Sequence, residues 1–172
     1  MANRLFANTL EEGRGSGHVP RMQIDLMNRQ RRVRFDVGWL RRFAASALIE
    51  CAHHSGDGLF LLRQKPLVEV AVVGDSTIAR VHGEFMGLDG ATDVITFDHG
   101  EIVVSADTAM RSAAAHGHTV VEELALYIVH GLLHLNGFDD REAKARRRMH
   151  RVQDRIWRDV RGRVPGPPPR KK

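Results

Sequence analysis

The chain has 172 residues and a single cysteine, Cys51. No intrachain disulfide can form, and a four-cysteine zinc site is excluded. Cys51 lies in an apolar helical stretch and reads as a small core residue. No apolar run is long enough to cross a bilayer. The longest, Leu124 to Leu135, is interrupted by two histidines. The first twenty residues lack an apolar signal core, so no secretory leader is expected and the cytoplasm is the default location. Internal repeats are absent. Proline is scarce in the middle of the chain, because four of the six prolines fall in residues 161–172.

The remainder has ordinary soluble composition, 42% hydrophobic and 27% charged, and is long enough for one domain with a real core. Lys and Arg outnumber Asp and Glu by 26 to 21, giving a net charge of +5. The excess gathers in "RQRRVR", "RRRMHR" and the tail "RGRVPGPPPRKK". Such runs serve either as solvated faces or as a seat for an acidic partner such as nucleic acid. Residues 1–20 are Gly-rich and polar and read as a flexible arm. Residues 161–172 read as a disordered basic, Pro-rich tail, which leaves 21–160 as the folded domain.

Within that domain "MQIDLMN" alternates as a strand, and "PLVEVAVVG", "TDVITF" and "GEIVVS" add three more. Helical spacing marks "DVGWLRRFAASALIECAHH", with Asp36 as cap, and "DSTIARVHGEFMG", with Ile78, Val81 and Phe85 on one face. "ADTAMRSAAAHG" ends at Gly117. "TVVEELALYIVHGLLHL" opens with a Thr119–Glu122 capping box. A charged helix, "DREAKARRRMHRVQDRIWRDV", comes last, with a thin stripe of Ala143, Met149, Val152, Ile156 and Val160. The order predicts an α+β fold: one small mixed sheet of about four strands packed with about five helices.

The most apolar stretch, "YIVHGLLHLNGFDD", carries His130 and His134, which project from one helical face because they are four residues apart. Gly137 can end the helix in a left-handed conformation and return Asp140 to the two imidazoles. The spacing H-x3-H-x5-D gives two nitrogens and one carboxylate for a zinc-type ion, with a fourth position open to water. The bland alternative is two core histidines satisfied by main-chain carbonyls. The pattern also approaches the zinc-peptidase motif, but the residue after the first histidine is Gly131, so the glutamate base of that chemistry is missing.

These residues resemble the YbeY-type endoribonucleases. That family carries a signature close to H-G-x-L-H-L-x-G-[YF]-D-H, where this chain has "HGLLHLNGFDD". Upstream the likeness continues through "VHGEFMGLDGATDVITFD" and "GEIVVS", so that it covers about residues 67–160 in the same order. The resemblance implies a metal-dependent, single-strand-specific endoribonuclease of ribosomal RNA maturation. It would act in 16S rRNA processing and ribosome quality control, with RNA and the ribosome or its small subunit as partners. It implies His130, His134 and Asp140 as ligands of one Zn2+, through whose water they would act, although two histidines and a carboxylate also suit iron(II) and other divalent transition metals. The third ligand is an aspartate where the family has histidine. Asp139 would orient a histidine or cap the last helix. Thr92 and Asp93 would shape the pocket. His82 replaces a family asparagine, Leu88 a lysine and Met86 an arginine. Substitute cations would be Arg63, Lys65 or Arg80, and His82 and His99 are further replacement groups. Ser105 reads as structural. Two alternatives stand beside this reading: a non-catalytic ribosome-associated factor that keeps the metal site but has lost cleavage with the arginine, or a metal-dependent hydrolase of another substrate with Glu101 or Asp139 as base.

Overall fold

A computed structural model describes residues 22–166, so the N-terminal arm and the last six residues of the proline-rich tail lie outside the described residues. Four strands, β1 (Gln23–Asn28), β2 (Leu67–Val73), β3 (Val94–Phe97) and β4 (Glu101–Ser105), form one mixed sheet. Its order is β1-β2-β4-β3, with β1, β2 and β4 parallel and β3 antiparallel to β4. Five helices surround it: α1 (Val37–Ala52), α2 (Asp75–Met86), α3 (Ala106–His116), α4 (Val120–Leu135) and α5 (Ala143–Arg163). The fold is α+β, as the element order indicates.

Side chains alternate across each strand. Val68, Val70 and Val72 of β2, with Ile102 and Val104 of β4, enter the large core shared with α1, α4 and α5. Ala71, Val73 and Val103 enter a smaller cluster with Ile78 of α2 and Ile95 of β3. Helix α4 is the hub. Its Leu124, Ile128 and Leu132 are fully buried, and each such side chain contributes about 1.5–3 kcal/mol.

The expected caps form. Asp36 accepts from the Trp39 amide at 2.8 Å, and Thr119 and Glu122 make a reciprocal capping box. Ser105 caps α3 by accepting from the Thr108 amide, and its hydroxyl donates to Asp75 at 2.5 Å. Cys51 is buried, and burial pushes its thiol pKa up.

Two expectations need correction. Helix α5 runs to Arg163 and Val164 is buried, so the packed domain extends past residue 160. The apolar stripe of α5 has enough reach to seat Val160 and Val164 against the core before the prolines begin. Phe85 does not join the core with Ile78; it is 67% exposed and meets Phe97 edge-on at 5.2 Å. A short 3-10 turn, Leu62–Gln64, was not indicated by the sequence pattern.

Candidate metal centre

The last turns of α4 place His130 and His134 edge to face, with their Nε2 atoms 2.9 Å apart. The chain then reverses at Gly137, whose φ of +82° is left-handed and suits glycine. The segment after α1 clamps this reversal. Gly56 and Gly58 donate backbone hydrogen bonds to the carbonyls of Asn136 and Gly137 at 3.0 and 2.9 Å, and Leu61 donates to Leu135 at 2.9 Å. Any Cβ on Gly56 would lie 1.9 Å from the Gly137 oxygen, so only glycine permits this approach. The buried Asn136 amide donates to the carbonyls of Cys51 and His54. The fixed turn returns Asp140, whose oxygens lie 3.5 Å from His130 Nε2 and 3.9 Å from His134 Nε2. The ligand atoms of the three residues lie within 4.8 Å of one another.

The outer nitrogens set the tautomers. His130 Nδ1 lies 2.9 Å from Gln153 Oε1, and His134 Nδ1 lies 3.1 Å from the Phe138 carbonyl. Both partners are acceptors, so each Nδ1 carries the hydrogen and each Nε2 presents a lone pair. Two facing lone pairs on neutral rings repel unless a cation lies between them. Two nitrogens bound to one tetrahedral zinc would be about 3.3 Å apart, close to the spacing seen. Burial lowers the pKa of His130, with help from His134, against the raising effects of Gln153 and Asp140, which favours the neutral ring that ligation needs. The donor set therefore fits a divalent transition metal.

Gly131 has a steric reason. A Cβ there would lie 2.9 Å from Ile102 Cγ2 and from Thr96 Oγ1, because α4 packs directly on β3 and β4. A glutamate base of the peptidase kind has no room.

The centre opens into a cavity of about 1440 Å3. One wall is the Gly137 turn, the start of α5 and the Gly56–Leu59 loop; the other is the end of α2, the following loop and β3. On the second wall Met86 and Leu88 are 48% and 54% exposed. His82 Nδ1 lies 3.0 Å from the Gly90 carbonyl, and Thr92 donates to Asp93 at 3.0 Å while Asp93 also accepts from the Val94 amide. All four of His82, Met86, Thr92 and Asp93 line the cavity.

Other expected residues lie elsewhere. Arg63 donates to the Ala52 carbonyl at 2.9 Å, at the end of α1, where a cation opposes the helix dipole. Lys65 sits beside Gly100 at the β3–β4 turn, and Arg80 pairs with Glu84 along α2 at 3.2 Å. None of the three lines the cavity; its arginines are Arg141 and Arg148. Asp139 bonds neither imidazole and does not cap α5, whose first position is preceded by Glu142. It accepts instead from Arg141, at 2.7 Å from Nε and 3.0 Å from the amide. His99 stacks on Phe97, 3.4 Å from Glu101, outside the cavity lining. Sequence reasoning missed Gln153. Its signal was present: an amide in the buried stripe of α5 between Met149 and Ile156.

A family model described as Endoribonuclease YbeY matches residues 26–161. Endoribonuclease YbeY of Micrococcus luteus is 33% identical over 139 residues, covering 72% of this chain and 87% of that protein. The Salinispora tropica protein of the same name is 32% identical over 142 residues, covering 68% of this chain and 90% of its own length. Among solved structures, a Thermotoga maritima protein determined in solution superposes with a TM-score of 0.57 at 24% identity. It covers 86% of this chain and 99% of its own, and speaks to the fold.

Proposed function

This chain belongs to the Endoribonuclease YbeY family, and from that premise we propose that it is a metal-dependent endoribonuclease that cuts single-stranded RNA in ribosomal RNA maturation. The observation that carries the reading is the convergence of His130 Nε2, His134 Nε2 and an Asp140 oxygen within 4.8 Å at the floor of an open cavity. These three residues would hold the metal, with zinc the ion that best suits two imidazoles and a carboxylate in this spacing. When bound, such an ion supplies an acidified water and polarises a phosphoryl oxygen. Gln153 and the Phe138 carbonyl keep both imidazoles in the ligating tautomer. Asp140 brings a negative charge where the family has histidine, which lowers the net positive charge of the site. Thr92 and Asp93 hold the facing loop in shape through their mutual hydrogen bond and the Val94 amide.

The finer reading follows the family: processing of 16S rRNA and ribosome quality control, contact with the ribosome or its small subunit, and action in the cytoplasm. No helix among the described residues is long and apolar enough to cross a membrane. One observation favours a second reading. Met86, at the position the resemblance gives to an arginine, lines the cavity and offers no charge for a phosphate. A ribosome-associated factor without cleavage is the reading that follows from it.

Incubation of the purified protein with single-stranded RNA, with and without a chelator, tests both. Cutting that stops with chelator and is absent in His134→Ala supports the nuclease. Ribosome or RNA binding without any cutting supports the second reading instead.

A further inference from the structure

Helix α5 carries nine Lys and Arg residues and two Asp between Ala143 and Arg163. That surplus exceeds the net charge of the whole chain, +5, so the rest of the protein is net acidic. The nine are not spread evenly. At roughly 100° per residue, Lys144, Arg147, Arg148, Arg151, Arg155 and Arg158 fall within an arc of about 100°, opposite the buried Met149, Gln153, Ile156 and Val160. The arc runs for about 20 Å along the helix axis.

The structure treats the two sets of cations differently. The three outside the arc have protein partners: Arg146 donates to the Asp140 carbonyl, Arg161 pairs with Glu122 at 2.6 Å, and Arg163 pairs with Glu50. Of the six within it, only Arg148 has a carboxylate partner among the described residues, Asp57 at 2.6 Å. The other five are exposed and have no such partner, and Arg158 donates only to the Asp154 carbonyl of its own helix at 3.1 Å. A row of like charges this close repels itself, and it gains when an anionic chain lies along it.

The row also has a direction. Arg148 lines the cavity, with its guanidinium 5.5 Å from the centre of the Phe138 ring, and Arg151, Arg155 and Arg158 lead away from it toward the C-terminus of α5. On the opposite wall the cavity lining has Met86 and Leu88 and no Lys or Arg.

We propose that the exposed face of α5 is a docking track for the RNA phosphate backbone, which enters the cavity past Arg148. This deepens the nuclease reading and rests on it for the identity of the substrate. The track supplies from outside the cavity the grip that its α2 wall lacks. Contacts of this kind go to phosphates, so they add affinity without sequence preference and weaken with salt. An anionic membrane is the less suitable partner. A helix that lies on a lipid surface inserts its apolar face, and the apolar face of α5 is buried in the core.

The test uses the full chain and its Arg151→Gln/Arg155→Gln/Arg158→Gln variant, all three positions lying outside the cavity lining. Binding of a 20-nucleotide single-stranded RNA and of a tetranucleotide is measured with chelator present, across a salt series. The triple variant is expected to bind the longer RNA about tenfold more weakly at low salt, with the log–log salt slope reduced by about 2. The tetranucleotide is expected to bind both proteins alike, and equal thermal melting shows that the fold is intact. An unchanged slope and affinity for the longer RNA overturns the track and makes the stripe a solvated face. Binding to anionic phospholipid vesicles in place of RNA overturns it as well. Because binding is read without cleavage, a protein that binds but never cuts defeats the nuclease reading while the track stands. A protein that cuts while the triple variant keeps the wild-type slope defeats the track alone.

Discussion

On one wall of the cavity His130, His134 and Asp140 converge, with the outer nitrogen of each imidazole partnered; on the other, Met86 and Leu88 stand half exposed on the end of α2 and its loop. The first wall is part of the core. Helix α4 is the most buried helix, the turn after it is clamped by the Gly56–Leu61 segment, and its Gly131 sits where a Cβ has no space. The second wall is an edge. β3 ends the sheet, and a Cβ on Gly87 or Gly90 of its neighbouring loop would meet nothing within 4 Å. On the proposed reading, chemistry that needs three atoms within a few ångströms sits where packing fixes it, and substrate grip falls to surfaces that can change without disturbing the core.

The largest expected effect tests that division directly. His134→Ala removes a proposed ligand, and cleavage of single-stranded RNA is expected to fall by about 10³-fold or more, with metal content lost by elemental analysis. Met86→Ala, on the other wall, is expected to change cleavage by less than about threefold, because Met86 makes no charged contact. If the two variants are equally damaged, the walls are not distinct in function. Next comes Gln153→Leu, which takes the acceptor from His130 Nδ1 and frees the ring to turn. Metal affinity by competition with a chromogenic chelator is expected to weaken about 10- to 100-fold. Gln153→Glu keeps an acceptor at that place and is expected to retain affinity; if it loses as much as Gln153→Leu, the hydrogen bond is not what matters.

The difference between the walls also governs how much the sequence disclosed. Periodicity alone placed His130 and His134 together, because a helix fixes the i, i+4 relation, and Gly137 announced the turn that returns Asp140. The four strands and five helices were legible for the same reason, since their buried faces repeat at 2 and 3.6 residues. Gln153 was legible only as a polar residue in the buried stripe of α5; its contact with His130 depends on how α5 crosses α4, and crossing is decided by packing between distant segments. The loop from Gly56 to Leu61 was equally silent: its role is a set of backbone hydrogen bonds to the Gly137 turn, which leave no mark in side-chain pattern. Arg63, Lys65 and Arg80 show the reverse case. Their charge suggested substrate contact, and the structure places them on the end of α1, at the β3–β4 turn and along α2.

A gain on the second wall would sharpen the contrast. Met86→Arg places a guanidinium on the cavity lining, where a charge-assisted bond to a phosphate becomes available. The value of kcat/KM for single-stranded RNA is expected to rise by about tenfold, chiefly through KM. A rise in kcat with KM unchanged would mean that the arginine acts on the reacting phosphate and that the second wall belongs to the chemistry.

The smallest effect is expected at Asp139, which lies beside Asp140 yet takes no part in the convergence. Hydrogen bonds from the Arg141 side chain, then from its amide, lower the Asp139 pKa to about 2 against the small raising effect of desolvation. A carboxylate whose folded pKa is depressed stabilises the protein above its unfolded value of 3.8, and that contribution is lost as the pH falls from about 4 toward 2. The pair is exposed to solvent, so the contribution is modest. Thermal melting of Asp139→Asn is expected to lie slightly below that of the wild type at pH 5 and to converge with it near pH 2. RNA cleavage by Asp139→Asn is expected to stay within about twofold of wild type, since the carboxylate bonds Arg141 and neither imidazole. A loss as large as that of Gln153→Leu would move Asp139 into the first wall and show that the turn after Gly137 offers two working carboxylates where the geometry assigns one.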